Sequence, residues 1–215
     1  MKFFIYIFYF FRSLFLRGVV NTLKLIFEES KNESLYGIKT SSLKKSNSTD
    51  YFHYQGSGYL ILHRIFENIY KQTHNYTFVD IGCGMGRPCF VAERYGYKNI
   101  TGIDLDLELI NEAKFNFSRR LLKNKTSKID FIHINAMEYN YKNEPTVYFL
   151  FNPFNESVLK NVLAKIVEQT QSETWFVYMN PLYSKAFVSE KFEIISELKT
   201  RLYLEAIIYK LKISY

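Results

Sequence analysis

The sequence has few cysteines, and its N-terminal apolar run is too short to cross a membrane. Cys83 and Cys89 are the two cysteines among 215 residues, so neither a disulfide framework nor a zinc site is indicated, and a reducing, cytoplasmic location is expected. The uncharged run extends from Phe3 to Phe11 and ends at Arg12. A transmembrane helix needs about 20 apolar residues, and a simple membrane-spanning helix is therefore not expected.

An excess of one sign of charge is lacking over most of the chain. The net charge is +7, but residues 1–48 hold eight Lys/Arg against three Asp/Glu, whereas residues 49–215 hold twenty against eighteen. A nearly balanced body with a basic N-terminal segment favours contact with an anionic surface near the N-terminus. No nucleic-acid partner is expected.

Residues 1–28 are predicted to form one basic amphipathic helix. At about 100° per residue the polar side chains fall along one side, and Phe, Leu, Ile and Val cover most of the rest. These polar residues are Lys2, Ser13, Arg17, Asn21, Lys24 and Glu28. Such a helix suits the headgroup layer of an anionic membrane, which predicts peripheral contact at the inner face of a membrane. The alternative is packing on its own domain or on a partner subunit, and the oligomeric state stays open.

The segment after this helix is polar. Residues 28–50 are rich in Ser, Asn and Lys, which indicates a linker or a loop that is ordered only by ligand. We place the domain boundary near Asp50, so that the helix and linker occupy residues 1–50 and a second domain occupies residues 51–215. No internal repeat divides the second domain further.

From Tyr54 onward, apolar segments of strand length alternate with segments of helical period. The predicted strands are "YTFVDI", "NITGID", "IDFIHI", "TVYFLF", "TWFVYM", "FEIISELKT" and "YLEAIIYKLKIS". The last two follow each other without an intervening helix, which is typical of an antiparallel pair at the edge of a sheet. The order of elements predicts an α/β fold: a seven-stranded, mostly parallel sheet with helices on both faces and a C-terminal antiparallel strand pair.

Three glycines at alternate positions follow the first predicted strand, in "FVDIGCGMGR". Without side chains, Gly82, Gly84 and Gly86 leave the backbone bare for a ligand, and glycine also reaches positive φ without steric cost. In a doubly wound sheet the ligand lies at the carboxyl ends of the strands, which is where this loop falls. A dinucleotide fingerprint needs its third glycine at position 87, where the chain has Arg87.

Asp104 ends the second predicted strand, about twenty residues after the loop. A carboxylate there can accept hydrogen bonds from both hydroxyls of a ribose. The alternative is that Asp104 caps a helix beginning at Leu105. Loop and acid together favour a nucleoside-type ligand.

The segment "FVDIGCGMG" resembles the class I S-adenosylmethionine-dependent methyltransferases, whose pattern is an apolar strand, Asp/Glu, an apolar residue and Gly-x-Gly-x-Gly. The resemblance covers about residues 54–215 and implies a Rossmann-like fold, S-adenosyl-L-methionine as the cofactor, and a protein or small-molecule methyl acceptor. The cofactor-binding residues that it implies are Asp80, Gly82, Cys83, Gly84, Gly86, Asp104, Leu105, Asn135, Ala136 and Asn152.

The resemblance also implies a role for each part of this set. Asp80 and the glycine loop would surround the methionine part of the cofactor, Asp104 would hold the ribose, and Asn135 with Ala136 would lie beside the adenine. The family more often has Asp at the position of Asn135, but an amide oxygen can still accept from the adenine amino group. The alternative is that Asn135 is an ordinary turn residue.

The fourth predicted strand runs into "FNPFNES". Asn152-Pro153-Phe154 partly resembles the Asn-Pro-Pro-aromatic signature of amine methyltransferases, and more closely a subgroup with an Asn-Pro-Phe turn that includes non-SET protein lysine methyltransferases. The resemblance implies that these three residues are catalytic, with Asn152 orienting the acceptor nitrogen. Phe154, Tyr54 and Tyr183 are candidate walls of the acceptor pocket. Core packing of Phe154, and a plain turn at Asn152, are the alternatives.

The favoured function is methyl transfer to an amine such as a protein lysine. An O-methyltransferase acting on a sugar or another small molecule is an alternative, although it would need a general base. A membrane-attached binding module of the same fold without turnover is another. A nicotinamide-dependent oxidoreductase is disfavoured by Arg87. The histidines form no pattern with acidic or cysteine partners, and no metal is expected.

Overall fold

The fold is described from a computed structural model that covers residues 2–41, 56–121, 123–124 and 126–212. The expected domain boundary near Asp50 and the candidate wall Tyr54 lie outside these residues. The strands are β1 (Thr77–Ile81), β2 (Asn99–Asp104), β3 (Lys128–His133), β4 (Thr146–Phe151), β5 (Thr174–Met179), β6 (Phe192–Thr200) and β7 (Tyr203–Leu211).

The strands form one seven-stranded sheet in the order β3-β2-β1-β4-β5-β7-β6. Strands β1 to β5 run parallel to one another, and β7 runs antiparallel to both β5 and β6. The predicted fold class is therefore confirmed, including the C-terminal strand pair. The strand order changes direction between β1 and β4, so the loop after β1 lies at the switch point where ligands bind in such sheets.

Both faces of the sheet are covered by helices. They are α1 (Lys2–Arg17), α2 (Val19–Tyr36), α3 (Tyr59–Thr73), α4 (Arg87–Tyr95), α5 (Leu107–Arg119) and α6 (Glu156–Gln169), with a short 3-10 helix at Ser184–Ala186. Successive strand residues point to opposite faces: in β1, Phe78 joins the core layer with α3 and α4, and Val79 joins the layer with α6. Burial on both faces explains why the parallel strands read as nearly continuous apolar runs.

The N-terminal segment differs from its prediction in two ways. The single helix predicted over residues 1–28 is broken at Gly18, whose φ of 83° lies in the region that favours glycine. The linker expected from residue 28 is wrong as far as Tyr36, because α2 continues to that residue and ends in a left-handed cap at Gly37. We call residues 2–36 the N-terminal arm.

The polar side of the arm faces the body of the protein. Arg17 donates two hydrogen bonds to the buried carboxylate of Glu205 in β7, at 2.5 and 2.8 Å, and its guanidinium lies 4.1 Å from the ring centroid of Tyr203. Within α2, Thr22 and Asn32 are buried. The arm is thus held to the sheet by polar contacts, and its apolar side is left outside.

The outer face of the arm carries eight apolar side chains that are each more than half exposed. They are Phe8, Phe11, Phe15, Val19, Val20, Leu23, Ile26 and Phe27. Within the described residues, no helix is both long and apolar enough to span a bilayer. We call these eight residues the outer apolar face.

Candidate functional site

The glycine loop after β1 is bound to the end of β2 by its backbone. The amides of Gly82 and Cys83 both donate to the carbonyl of Ile103, at 2.9 and 3.0 Å, and Gly86 N donates to Cys83 O at 2.9 Å. Gly82, Gly84 and Gly86 all have positive φ, at 79°, 53° and 87°. Because other residues rarely adopt such φ values, the loop can take this shape only with glycine at these positions.

Two of these glycines also make room for the protein itself. A Cβ at Gly82 would lie 2.5 Å from Cβ of Pro153, and a Cβ at Gly86 would lie 2.7 Å from the ring of Phe131. The expectation that these glycines exist to bare the backbone for a ligand is therefore incomplete. The contact of Gly82 with Pro153 brings together the two predicted parts of the site, the glycine loop and the Asn-Pro-Phe turn.

Asp104 is bound to the loop rather than to the following helix. Its Oδ2 accepts from Gly84 N at 2.8 Å, and its Oδ1 accepts from Asp106 N at 2.9 Å. Helix α5 begins at Leu107, and Asp106 is its cap, accepting from the amides of Glu108 and Leu109. The alternative in which Asp104 caps a helix starting at Leu105 is therefore wrong.

The loop lies between two carboxylates. Burial raises the pKa of Asp80 well above its ordinary value, and the nearby charge of Asp104 raises it further. Burial also raises the pKa of Asp104, against the stabilising amides of Asp106 and Gly84. Two carboxylates that both lack solvation suit a ligand that brings positive charge and hydroxyl donors, as S-adenosylmethionine does. The residues present fit that cofactor.

The two cysteines beside the loop are unreactive in this setting. Cys83 and Cys89 are buried free thiols, and burial raises the pKa of both. Cys89 Sγ lies 3.8 Å from Asp80 Oδ2, in donor geometry. In the described part of the chain, no group of three or more His, Cys, Asp or Glu could hold a metal ion.

Asn135 and Ala136 follow β3 at the carboxyl end of the parallel strands, where Asp104 ends β2. Register places His133 beside Asp104, two residues before Asn135. Asn135 Oδ1 accepts from Met137 N at 2.9 Å, so this side chain does build a turn, while one lone pair of its oxygen stays available to a ligand. Ala136 is buried, and Leu105 is partly exposed beside Asp104.

The side chain of Asn152 is held at both ends. Its backbone has a φ of 43°, its Oδ1 accepts from the Tyr178 hydroxyl at 2.6 Å, and its Nδ2 donates to the Asn180 carbonyl. Asn180 also has positive φ, and its Oδ1 accepts from the Tyr203 hydroxyl. Sequence reasoning missed Tyr178 and Asn180 as part of this site. The available signal was a second Asn-Pro dipeptide at the end of the neighbouring parallel strand.

Phe154 and the residue after it have structural roles in the turn that follows β4. Phe154 is buried in the core layer that contains α6, as its core-packing alternative expects. Asn155 caps α6 by accepting from Val158 N at 3.0 Å, so Asn152 is free of that task. Tyr183 is partly buried on the same side and donates its amide to the Tyr178 hydroxyl at 3.3 Å.

Residues 78–172 match a family model described as a methyltransferase domain. A comparison with curated proteins finds no match. Among solved structures, the fold is similar to that of the magnesium protoporphyrin IX methyltransferase from Synechocystis PCC 6803 with bound S-adenosylmethionine. The TM-score is 0.55, with 13% identity and coverage of 71% of this chain and 78% of that one.

Two further methyltransferase structures are similar to the same degree. One is from Methanosarcina mazei, with 18% identity, a TM-score of 0.53, and coverage of 70% of this chain and 98% of that chain. The other is the ribosomal protein L11 methylase from Lactobacillus delbrueckii, with 15% identity, a TM-score of 0.50, and coverage of 72% and 78%. At such identities these structures establish the fold alone, and the match of residues 78–172 to the methyltransferase model covers less than half of the chain.

Proposed function

We propose that the chain is an S-adenosylmethionine-dependent methyltransferase of class I, in keeping with the family match, and that it methylates an amine nitrogen such as that of a protein lysine. The observation that carries this proposal is the arrangement around Asn152. Its amide is fixed by Tyr178 and Asn180, and Pro153 beside it packs on Gly82 of the loop. An oriented carbonyl oxygen next to the cofactor loop suits a donor of N–H hydrogen bonds.

The proposed cofactor site follows the edge of the sheet. In this proposal Asp80 and the loop from Gly82 to Gly86 surround the methionine part of the cofactor. Asp104 and Leu105 hold the ribose. Residues 135 and 136, which follow β3, lie beside the adenine. The supporting observations are the amide of Gly84 on Asp104 and the shared edge of β2 and β3. When bound, the cofactor supplies an electrophilic methyl group on a sulfonium.

The protein's part in the reaction is to hold the acceptor. Asn152 Oδ1 has one lone pair left after the Tyr178 bond and accepts one hydrogen of the amine, and a main-chain carbonyl accepts another. The amine attacks in its neutral form, which removal from water favours. Fixing two reactants in line can lower the barrier by roughly 7 to 11 kcal/mol. No dedicated acid is needed, because a sulfonium leaves as a neutral thioether.

The acceptor is tested by radiolabelled methyl transfer into a cell extract that is separated into protein, lipid and small-molecule fractions. We expect acid- and base-stable label in protein, lost in Asn152→Ala and reduced in Tyr178→Phe. Asn155→Ala is the matched control, because Asn155 is in the same turn and caps α6. Label confined to another fraction would refute the lysine assignment, and base-labile label would favour O-methylation. Cofactor binding without any label would favour a module without turnover.

The ribose contact is tested with two neighbouring aspartates. Asp104→Ala should weaken S-adenosylhomocysteine binding by roughly tenfold to a hundredfold, because hydrogen bonds to a charged group are lost. Asp106→Ala removes a helix cap and should lower stability by about 1 kcal/mol with little change in affinity. Calorimetric titration separates the two, and equal affinities for both variants would contradict the proposed role of Asp104.

We further propose that the arm contacts an anionic membrane from the cytoplasmic side. The outer apolar face is rich in phenylalanine, and residues 2–27 contain four Lys/Arg and no Asp/Glu. Arg17 pairs inward with Glu205 and Arg12 lies over the Tyr203 ring, so the two lysines supply the remaining positive charge. Aromatic side chains beside basic ones suit the interface of an anionic bilayer. The inward direction of the arm's polar contacts leaves this face available, which supports the proposal.

Flotation with vesicles tests this contact. The protein should float with vesicles that contain phosphatidylserine and much less with neutral vesicles, and Phe11→Ser with Phe15→Ser should abolish flotation. Phe115→Ser is the control, since Phe115 is equally exposed but lies on α5. Concentration-dependent dimerisation that the same arm variants abolish, without flotation, would show that the occupant is a second copy.

A further inference from the structure

Arg87 is a buried arginine at the end of the glycine loop. It directly follows Gly86, begins α4, and is 2% exposed. A buried guanidinium is stable only when its charge and its hydrogen-bond donors are matched by the protein. The partners of Arg87 therefore show which part of the chain is needed beside the loop.

All five N–H groups of Arg87 have partners. Nε donates to Thr40 Oγ1 at 2.7 Å. Nη1 donates to the Glu29 carboxylate at 3.0 Å and to the carbonyl of Ser57 at 2.6 Å. Nη2 donates to Glu33 at 3.2 Å and to Ser41 Oγ at 2.8 Å. The two carboxylates match the positive charge, and the fork geometry of arginine is fully used.

Each of these partners lies before β1. Glu29 and Glu33 belong to α2, and the other three flank it or precede α3. The guanidinium also stacks 4.3 Å from the ring centroid of Tyr59. A Cβ at Gly56 would lie 2.8 Å from the guanidinium carbon, so the chain closes over Arg87 from that side as well.

Asn116 of α5 makes a second link between the same two regions. Its Oδ1 accepts from Lys39 N at 3.1 Å, and its Nδ2 donates to Lys39 O at 3.1 Å and to Met85 O at 3.2 Å. Met85 is in the glycine loop. Residues 37–41 are thus fastened to the loop at Met85 through Asn116 and at its end through Arg87.

We propose that Arg87 and Asn116 are positioning residues that make α2 and residues 37–41 part of the cofactor site. The backbone bonds to Ile103 and Asp104 hold the start of the glycine loop, and the links at Met85 and Arg87 tie the rest of it to the N-terminal segment. Cofactor binding in turn stabilises that segment. The inference concerns cofactor binding alone and needs no acceptor, so it stands or falls independently of the amine assignment.

The test compares two buried arginines. Arg87→Met should weaken S-adenosylhomocysteine binding by about tenfold or more, since the charge-assisted bonds that shape the loop are lost, and Arg87→Lys should be intermediate. Arg120→Met is the matched control: Arg120 makes a buried, two-bond pair with Glu93 at 2.8 and 2.9 Å, and its side-chain bonds go to Glu93 and Phe117 instead of to the glycine loop. It should lower the melting temperature but leave affinity within about twofold.

Hydrogen exchange gives a second readout that stability alone would not move. In the wild type and in Arg120→Met, S-adenosylhomocysteine should slow amide exchange in residues 37–41; in Arg87→Met it should not. If Arg87→Met fails to fold, Thr40→Val removes one bond to Arg87 and should reduce both affinity and protection. A folded Arg87→Met or Thr40→Val protein with wild-type affinity, or absence of protection at residues 37–41 in the wild type, would overturn the proposal.

Discussion

Helices α2 and α3 are neighbours in the chain, but they bury opposite kinds of side chain. Helix α3 buries apolar residues, Ile61, Leu62, Ile65, Phe66 and Ile69 among them. Helix α2 buries Thr22, Asn32 and Tyr36 and exposes much of its apolar side. An amphipathic pattern therefore locates two faces of a helix, but it does not tell which face is turned inward.

The reason lies in the charges of the body. Arg87 and Glu205 are both nearly fully buried, and a buried charge without a partner is strongly destabilising. The arm supplies the partners. Arg17 pairs with Glu205, and both Glu29 and Glu33 pair with Arg87. These ion pairs orient the arm with its polar side inward.

The largest effect should separate the two helices directly. Phe66→Ala in α3 removes a fully buried ring and should lower the free energy of unfolding by about 3 to 5 kcal/mol. Phe27→Ala in α2 removes a ring that is 64% exposed and should change it by less than about 0.5 kcal/mol. Urea unfolding measures both, and similar losses would mean that the outer face is buried in solution.

A smaller effect is expected from the arm's inward contact. Arg17→Met leaves the Glu205 carboxylate buried without its cation and should lower the free energy of unfolding by about 2 kcal/mol. Lys31→Met breaks an exposed pair with Glu28 and should cost less than about 0.5 kcal/mol. If Arg17→Met were as mild as Lys31→Met, ion pairing would not orient the arm.

The smallest effect concerns Asp80, a buried acid near the glycine loop. Its pKa is raised in the folded state by burial and by Asp104, so the folded protein binds more protons than the unfolded one between the ordinary and the raised pKa. Stability should therefore fall as pH rises through that window. Asp80→Asn should reduce this pH dependence, with a remainder due to the raised pKa of Asp104, and should be more stable than the wild type at pH 8. Thermal unfolding at pH 5 and pH 8 measures the change in melting temperature of each protein. Equal changes in the wild type and in Asp80→Asn would contradict this prediction.

The sheet could be predicted because its signals are local. Strands β1, β4 and β5 are short, mostly apolar runs, and "FVDIGCGMG" holds strand, acid and glycines in one continuous segment. Asp104, which is predicted to hold a ribose, lies against the loop and accepts from Gly84 N; its role toward the ribose stays a prediction. The identity of the helix cap was missed because Asp104 and Asp106 are two residues apart and either could have capped α5.

The arm could not be predicted because its partners are distant in sequence. Nothing in the sequence near Arg87 indicates that its partners lie in α2, just after it and just before α3. The acidic pair of α2 also lies in a segment whose composition is typical of a linker. The break at Gly18 had a visible signal, a glycine inside a helical pattern. The inward side of the helix did not, because it depends on charges buried elsewhere.

The left-handed backbone at Asn152 separates what the fold requires from what the chemistry requires. Glycine accepts such a φ freely, so Asn152→Gly should keep its fold and its affinity for the cofactor while removing the side-chain amide between the Tyr178 hydroxyl and the Asn180 carbonyl. Loss of methyl transfer in this variant would then come from the missing amide and not from a changed backbone.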